Sequence, residues 1–348
     1  HQNEGKVFVD KLPIESTVYV EPKSAGSRTE RVFHFHIDGQ QNYSTDKELP
    51  KLLSPQKWSQ LKGRYLKSGF DECLRDNKLI AVYEDYWHQK WLHFLNAIDE
   101  NALITKHKPQ FVSFGGPVAD IMATRYDNAF NWTVTALMVK GTIYLLKTGP
   151  QRSTSFEYND WKYSALNMYH MITDRDDNRK NEYEKHFAIN CLDVESHRLL
   201  TLNEVRAVDD KHREVDLKIS KPARTAWERN YFTGKKLLRF WCKGWVQGMD
   251  RVVVANIHKQ NNYKVLDVEA RDVSRMLGQS QGKWSDRKCI EFLNSFLTFV
   301  KTCITDENTV YEFDYKTDRE FVECKSYTKG SDIQSIDTLL RDGLKISD

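Results

Sequence analysis

The stretch Leu199–Pro222, LLTLNEVRAVDDKHREVDLKISKP, restricts the fold of this chain more than any other. Its apolar and polar residues alternate with period two, which calls for extended chain on both sides of the charged turn Asp209-Asp210-Lys211-His212. Glu204 and Arg206 fall on one side of the first segment with Leu200 and Leu202. In the second segment Asp216 and Lys218 share a side and Leu217 points the other way. A carboxylate and a lysine side by side on a strand, facing a glutamate on the neighbouring strand, suit metal-dependent phosphodiester chemistry. The carboxylates hold a divalent cation, and the lysine orients a water or offsets phosphate charge. An ordinary charged strand edge has the same pattern, so the spacing alone leaves both readings open.

The rest of the chain supplies partners for such strands. Asn131–Thr148 reads as a hairpin turning at Lys140-Gly141, and Phe111–Phe114 as a strand ending at Gly115-Gly116-Pro117. Further strands are expected at Arg31–Ile37, Phe187–Val194, Arg251–Ile257, Tyr263–Val268, Thr309–Tyr315 and Glu320–Tyr327, with a short β-like run at Val18–Glu21. Helical spacing of apolar residues appears over Pro55–Asp76, Tyr86–Asn96, Tyr158–Ile172, Ala226–Val246 and Ser285–Ile304. The first 48 residues and the tail after Tyr327 are polar and irregular, and Asp174–Lys185 reads as a charged loop. Strands and helices interleave without a strict βαβ repeat, and no Pro/Gly-rich linker divides them. The expectation is one α/β domain, of α+β type, with two mixed sheets flanked by helices.

Composition narrows the function classes. With 348 residues, 40% of them hydrophobic and 12% aromatic, the chain can build a sizeable core. A net charge of +3 means that any nucleic-acid footprint must be local rather than global. No apolar run is long enough to span a membrane. The six cysteines are scattered without a C-x-x-C pair, which argues against zinc ribbons and disulfide frameworks and for buried thiols in a reducing compartment. His34 and His36 share a strand face but have no third ligand near them in sequence. No GxGxxG, Walker, G-x-S-x-G or H-E-x-x-H motif occurs. One basic feature stands out: Lys235, Lys236, Arg239 and Lys243 fall on one face of the Ala226–Val246 helix, near Trp241 and Trp245. That face suits a phosphate backbone with bases on the aromatics, or is simply a solvated basic face.

The run Lys236-Leu237-Leu238-Arg239-Phe240-Trp241, leading to Gly248 and Val252-Val253-Val254-Ala255, resembles the helix and strand after the active site of the eukaryotic decapping exoribonucleases, the DXO/Rai family. The resemblance extends back through Asp216-Leu217-Lys218-Ile219-Ser220 and Glu204-Val205 to the hairpin with Gly141-Thr142-Ile143-Tyr144, and forward to Trp284–Val300. It covers roughly residues 110 to 305. It implies a fold related to the PD-(D/E)xK nucleases and action on RNA 5′ ends: removal of nicotinamide-type caps and triphosphates, with 5′→3′ degradation, by two Mg2+ or Mn2+ ions. It also implies an intracellular protein of nucleus or cytosol, with no DNA substrate, and in one subgroup a 5′→3′ exoribonuclease as partner.

Matched to the family pattern residue by residue, the site is incomplete. Gly115 stands where the family has an arginine, and Tyr169 where it has a metal-binding glutamate. The family's Glu-x-Asp becomes Glu204-Val205-Arg206, its Glu-x-Lys becomes Asp216-Leu217-Lys218, and Lys243 takes the place of a glutamine. The catalytic remnant is therefore Glu204, Asp216 and Lys218, and a reduced metal site would use Glu204, Asp216 and the Leu217 carbonyl. A guanidinium cannot ligate a metal. At ~4 Å and an effective dielectric of about 20, its charge repels a dication by about 8 kcal/mol. Two-metal catalysis is thus expected to be lost. Arg206 and Lys243, with Lys236 and Arg239 along the helix, then either grip an RNA 5′ phosphate or pair with the old carboxylates and close the site. The remaining readings are one-metal hydrolysis of a non-canonical cap and a protein-interaction scaffold that does not bind RNA.

Overall fold

The structure is a computed structural model. It describes residues 6–15, 28–38, 42–75, 83–148, 156–174, 185–307 and 309–328, together with Leu340 and Gly343. The expected run at Val18–Glu21, most of the charged loop and the tail lie outside the described residues. In chain order the strands are β1 (Val7–Pro13), β2 (Arg28–Ile37), β3 (Tyr43–Ser44), β4 (Phe111–Phe114), β5 (Trp132–Val139), β6 (Thr142–Thr148) and β7 (Lys185–Val194). They continue with β8 (His197–Val205), β9 (Ala207–Val208), β10 (Glu214–Ser220), β11 (Arg251–His258), β12 (Lys264–Asp272), β13 (Thr309–Tyr315) and β14 (Phe321–Thr328). The helices are α1 (Pro55–Ser59), α2 (Phe70–Arg75), α3 (Tyr83–Glu100), α4 (Leu103–His107), α5 (Gly115–Ala123), α6 (Phe156–Ile172), α7 (Ala226–Tyr231), α8 (Leu237–Gln247), α9 (Val273–Gln279) and α10 (Asp286–Cys303).

Ten strands form a large sheet in the order β1-β14-β13-β5-β6-β4-β8-β7-β2-β3, and four form a small one, β12-β11-β10-β9. Both are mixed: β4 runs parallel to β6 and β8, and β10 runs parallel to β11. The parallel β10–β11 pair needs a crossover, and the segment carrying α7 and α8 supplies it. One face of the large sheet packs with α5, α8 and α10 through Phe111, Trp241, Phe292 and Phe296. The opposite face packs with α3 through Trp91, Phe94 and Phe187. The small sheet lies between α8 and α6: Val252 and Val254 join the α8 core, while Leu217, Val253 and Ala255 meet Met168 and Ile172. Burial on both faces explains the nearly continuous apolar run Val252–Ala255.

Three expectations change. The Pro55–Asp76 helix is only α1 and α2 joined by turns, since Gly63 and Gly69 adopt positive φ there. The strand Phe111–Phe114 ends at Gly115-Gly116-Pro117 as expected, and these residues open α5, with Pro117 in the first turn, where its missing N–H is harmless. The Ala226–Val246 helix is interrupted by a π-helical turn over Phe232–Lys236. The N-terminal segment contributes the unexpected strand β1 to the large sheet, beside β2, which lengthens the expected Arg31–Ile37 strand to Arg28–Ile37.

Candidate functional site

Glu204 and Asp216 come together by a route that the sequence alone did not suggest. They are not on paired strands: Glu204 is on β8 in the large sheet and Asp216 on β10 in the small one. The chain passes from one sheet to the other at Arg206, the single residue between β8 and β9. β9 then pairs antiparallel with β10, Val215 opposite Ala207, which carries Asp216 toward Arg206. The crossing point thus draws a carboxylate from each sheet to one guanidinium.

Each carboxylate is held by cations. Arg206 pairs with Glu204, and Lys185 lies 3.6 Å from the same oxygen. Lys218 and Lys243 approach one oxygen of Asp216 at 3.0 and 2.8 Å. Its other oxygen accepts the Leu217 backbone N–H at 3.0 Å. Burial would raise the pKa of Glu204, but Arg206, Lys185 and Lys90 outweigh it and bring it down to about 2. Asp216, 2% exposed, is likewise driven well below the carboxylate range: burial opposes the shift, and Lys218 and Lys243 override it.

The cations outnumber their partners. Burial lowers Lys243 to about 8, with Lys218 and Arg206 adding repulsion against the pull of Asp216. Lys90 on α3 and Lys162 on α6 are also lowered to about 8, first by burial and then by Lys185 and Arg206. Among the described residues, six cationic side chains therefore act on these two carboxylates, an excess of four positive charges over them when all are protonated. Aromatic rings brace them. Arg206 lies 4.7 Å from the centroid of the buried Tyr169 ring, and Lys90 lies 4.4 Å from that of Phe114. Trp91 stacks on Phe114 at 4.3 Å.

Of the residues singled out from sequence, Glu204, Arg206, Asp216, Lys218, Tyr169 and Lys243 converge here. Leu217 points into the core under α6, as its alternation with Asp216 requires. The expected shared basic face of the helix does not form as one unit. Lys243 and Lys236 turn toward β10, where Lys236 Nζ donates to Ser220 Oγ at 3.0 Å. Arg239 and Lys235 turn instead to the segment after α5, meeting Asp127 and the Tyr126 carbonyl. Four residues spread over roughly a 100° arc at 100° per residue, and acceptors on two sides divide them. Trp241 and Trp245 are buried in the core and cannot meet bases. Gly115 packs so closely on the Asn203 side-chain amide that a Cβ there would overlap it, so the position has no room for an arginine beside Asn203.

Lys90, Lys162 and Lys185 were missed. Lys185 had a readable signal: the β7–β8 register sets Phe187 opposite Glu204 and His186 opposite Val205, which brings Lys185 level with Arg206, but the expected strand began two residues late. Lys90 and Lys162 are isolated lysines in aromatic helices, and only packing brings them to the site.

The surrounding donor set does not suit a divalent ion. Both carboxylates are already engaged by cations, and among the described residues no three His, Cys, Asp or Glu side chains gather as a metal site would need.

This mixed two-sheet architecture, with its acidic remnant between the sheets, is that of the PD-(D/E)XK nucleases. The RAI1-like PD-(D/E)XK nuclease family matches residues 27–341, and the chain belongs to that family of decapping nucleases. It is 22% identical over 312 residues to the decapping and exoribonuclease protein of Xenopus laevis, covering 81% of this chain and 78% of the relative. Among solved structures it is similar to Scheffersomyces stipitis Rai1 in complex with (3′-NADP)+ and calcium ion, with TM-score 0.76, 13% identity, and coverage of 96% of this chain and 100% of that one. It is also similar to Candida albicans Rai1 in complex with pU5-Mn2+, with TM-score 0.75, 14% identity, and coverage of 97% and 98%.

Proposed function

We propose that this protein binds the phosphorylated 5′ end of RNA in the pocket around Arg206, and that its hydrolytic activity is impaired or absent. The observation that carries this reading is the excess of cations over carboxylates, where a metal-dependent nuclease needs the reverse. Arg206, Lys243, Lys90, Lys162 and Lys185 supply charge-assisted donors for phosphate oxygens, a role the family's metal ions would otherwise fill. The pU5 ligand of the Candida albicans relative supports RNA as the polymer, and the (3′-NADP)+ ligand of the Scheffersomyces stipitis relative supports a dinucleotide-type end. On this reading the Arg206–Glu204 pair is a preorganised donor and not a seal, because among the described residues more cations than carboxylates act at the site.

A second reading rests on the retained Asp216–Lys218 contact at 3.0 Å: slow one-metal removal of a non-canonical cap. Incubating 5′-triphosphate and nicotinamide-capped RNA with Mn2+, beside Asp216→Ala, decides between them. Turnover that vanishes in Asp216→Ala overturns the binding-only reading. Binding that prefers 5′-monophosphate over 5′-hydroxyl RNA, with no turnover, supports it, and a failure to bind either RNA leaves a protein scaffold. A 5′→3′ exoribonuclease is the partner that the family resemblance favours, and co-purification from cells tests it.

A further inference from the structure

The helix α7 buries none of its residues, yet it carries two large aromatics. Trp227 is 72% exposed and Tyr231 39%, and their rings stack at 5.7 Å with 13° between the planes. The helix is firmly built: Thr225 and Glu228 form a complete capping box, so the pair is held on a defined surface. Its adjacent face, through Ala226, Arg229 and Asn230, lines a cleft of about 580 Å3 that Lys221, Asn256 and Arg271 also line. Glu228 is engaged by its own cap, and Glu269 in the cleft is taken by Arg271 at 2.7 Å. The local charge left over is positive.

β10 leads from this surface to the cluster around Arg206: Lys218 and Lys243 are partly exposed there, above the buried Asp216 and Ser220. β10 and α8 run side by side, joined at two points: Lys243 to Asp216 at 2.8 Å, and Lys236 to Ser220 at 3.0 Å. Asp216, Lys218 and Ser220 lie on one face of β10, and Lys221, which lines the cleft, follows them. From Asp216 to Lys221 the strand spans roughly 16 Å at 3.3 Å per residue. That length holds about five nucleotides at the 3.4 Å spacing of a stacked single strand.

We propose that single-stranded RNA whose 5′ phosphate sits in the Arg206 pocket runs along this line of cations into the α7 cleft, and that a base about five or more nucleotides from the end stacks on the Trp227–Tyr231 pair. The inference rests on the pocket binding a 5′ phosphate. RNA is the occupant because the surface combines partly exposed cations, which lead back toward the basic cluster around Arg206, with exposed ring faces.

The test compares 5′-monophosphorylated oligouridylates of two and ten nucleotides by fluorescence anisotropy with the full chain. The decamer is expected to bind at least 10-fold more tightly than the dinucleotide. Trp227→Ala is expected to weaken decamer binding about 10-fold, in the range for loss of one stacked base, and to leave the dinucleotide unchanged. Trp227→Phe should retain most of the decamer affinity and Trp227→Leu should not, which separates stacking from simple apolar contact. Equal affinity for both lengths, or a decamer indifferent to Trp227→Ala, overturns the track while dinucleotide binding leaves the pocket reading intact. A purified protein partner that competes with the decamer only through Trp227 would support the surface, whereas one that needs Trp227 when RNA does not would reassign it to protein. Absence of binding to either length overturns both readings.

Discussion

Binding of a 5′ phosphate should be coupled to proton uptake, because three pocket lysines lie near titration. Lys90, Lys162 and Lys243 are each lowered to about 8 by burial and by their cationic neighbours. A phosphate dianion placed among them favours the protonated forms and returns them toward the ordinary lysine value. If each rises to about 10, its protonated fraction at pH 8.5 goes from about one quarter to nearly one, so the three take up about two protons together. The ligand takes no part in this exchange, since its second pKa is about 6. By linkage, affinity falls about 10²-fold or more between pH 7.5 and 9, and hardly at all between pH 6.5 and 7.5. Titration calorimetry of 5′-monophosphorylated RNA at pH 8.5, in buffers of different ionisation enthalpy, reads the proton count directly. A 5′-hydroxyl RNA serves as control. Proton uptake near zero at pH 8.5, with affinity flat from pH 7.5 to 9, would refute the placement of these lysines around the phosphate. The same shifts affect stability in the opposite direction: a lysine whose folded pKa is depressed destabilises the fold while charged. The free protein should therefore gain stability from these groups as pH rises from about 8 toward 10.5.

Three further outcomes are expected. Asp216→Ala leaves Lys218 and Lys243 unopposed in a buried setting and should cost about 3 to 5 kcal/mol in urea unfolding, while 5′-phosphate affinity is kept or raised. Arg206→Glu sets an acid beside Glu204 and removes the guanidinium, so 5′-phosphate binding should fall by at least 10-fold as one charge-assisted contact is lost, and Mn2+ affinity, read by spin-resonance titration, should rise. Gly115→Ala forces a methyl into the Asn203 amide and should lower stability by about 1 to 3 kcal/mol; combining it with Asn203→Gly should recover most of the loss, since the overlapping atoms are then gone.

Much of the site was legible because its key contacts are short in sequence. Asp216 and Lys218 share a face through the period of a strand, and their 3.0 Å contact follows from it. Glu204 and Arg206 are likewise two residues apart and pair with each other. The hairpin at Lys140-Gly141, the helix expected over Ser285–Ile304 and the apolar run of β11 were equally readable, since local backbone geometry and burial periodicity determine them. The π-helical turn within the Ala226–Val246 helix was not, because it leaves no mark on hydrophobic spacing that a purely α-helical run would not also leave.

What the sequence determined by itself is the chemistry of the centre: two carboxylates, an arginine between the strands that carry them, and a tyrosine and a lysine at positions where the resemblance leads one to expect an acid and an amide. What only the tertiary structure decided is the sign of the site. Lys90, Lys162 and Lys185 come from α3, α6 and β7, far apart along the chain, and they reach Glu204 and Arg206 only because β8 leaves the large sheet where the small sheet begins. Electrostatic energy depends on distance in space, and in a half-buried pocket it is weakly screened. These three lysines thereby give the acidic remnant, among the described residues, more cations than carboxylates.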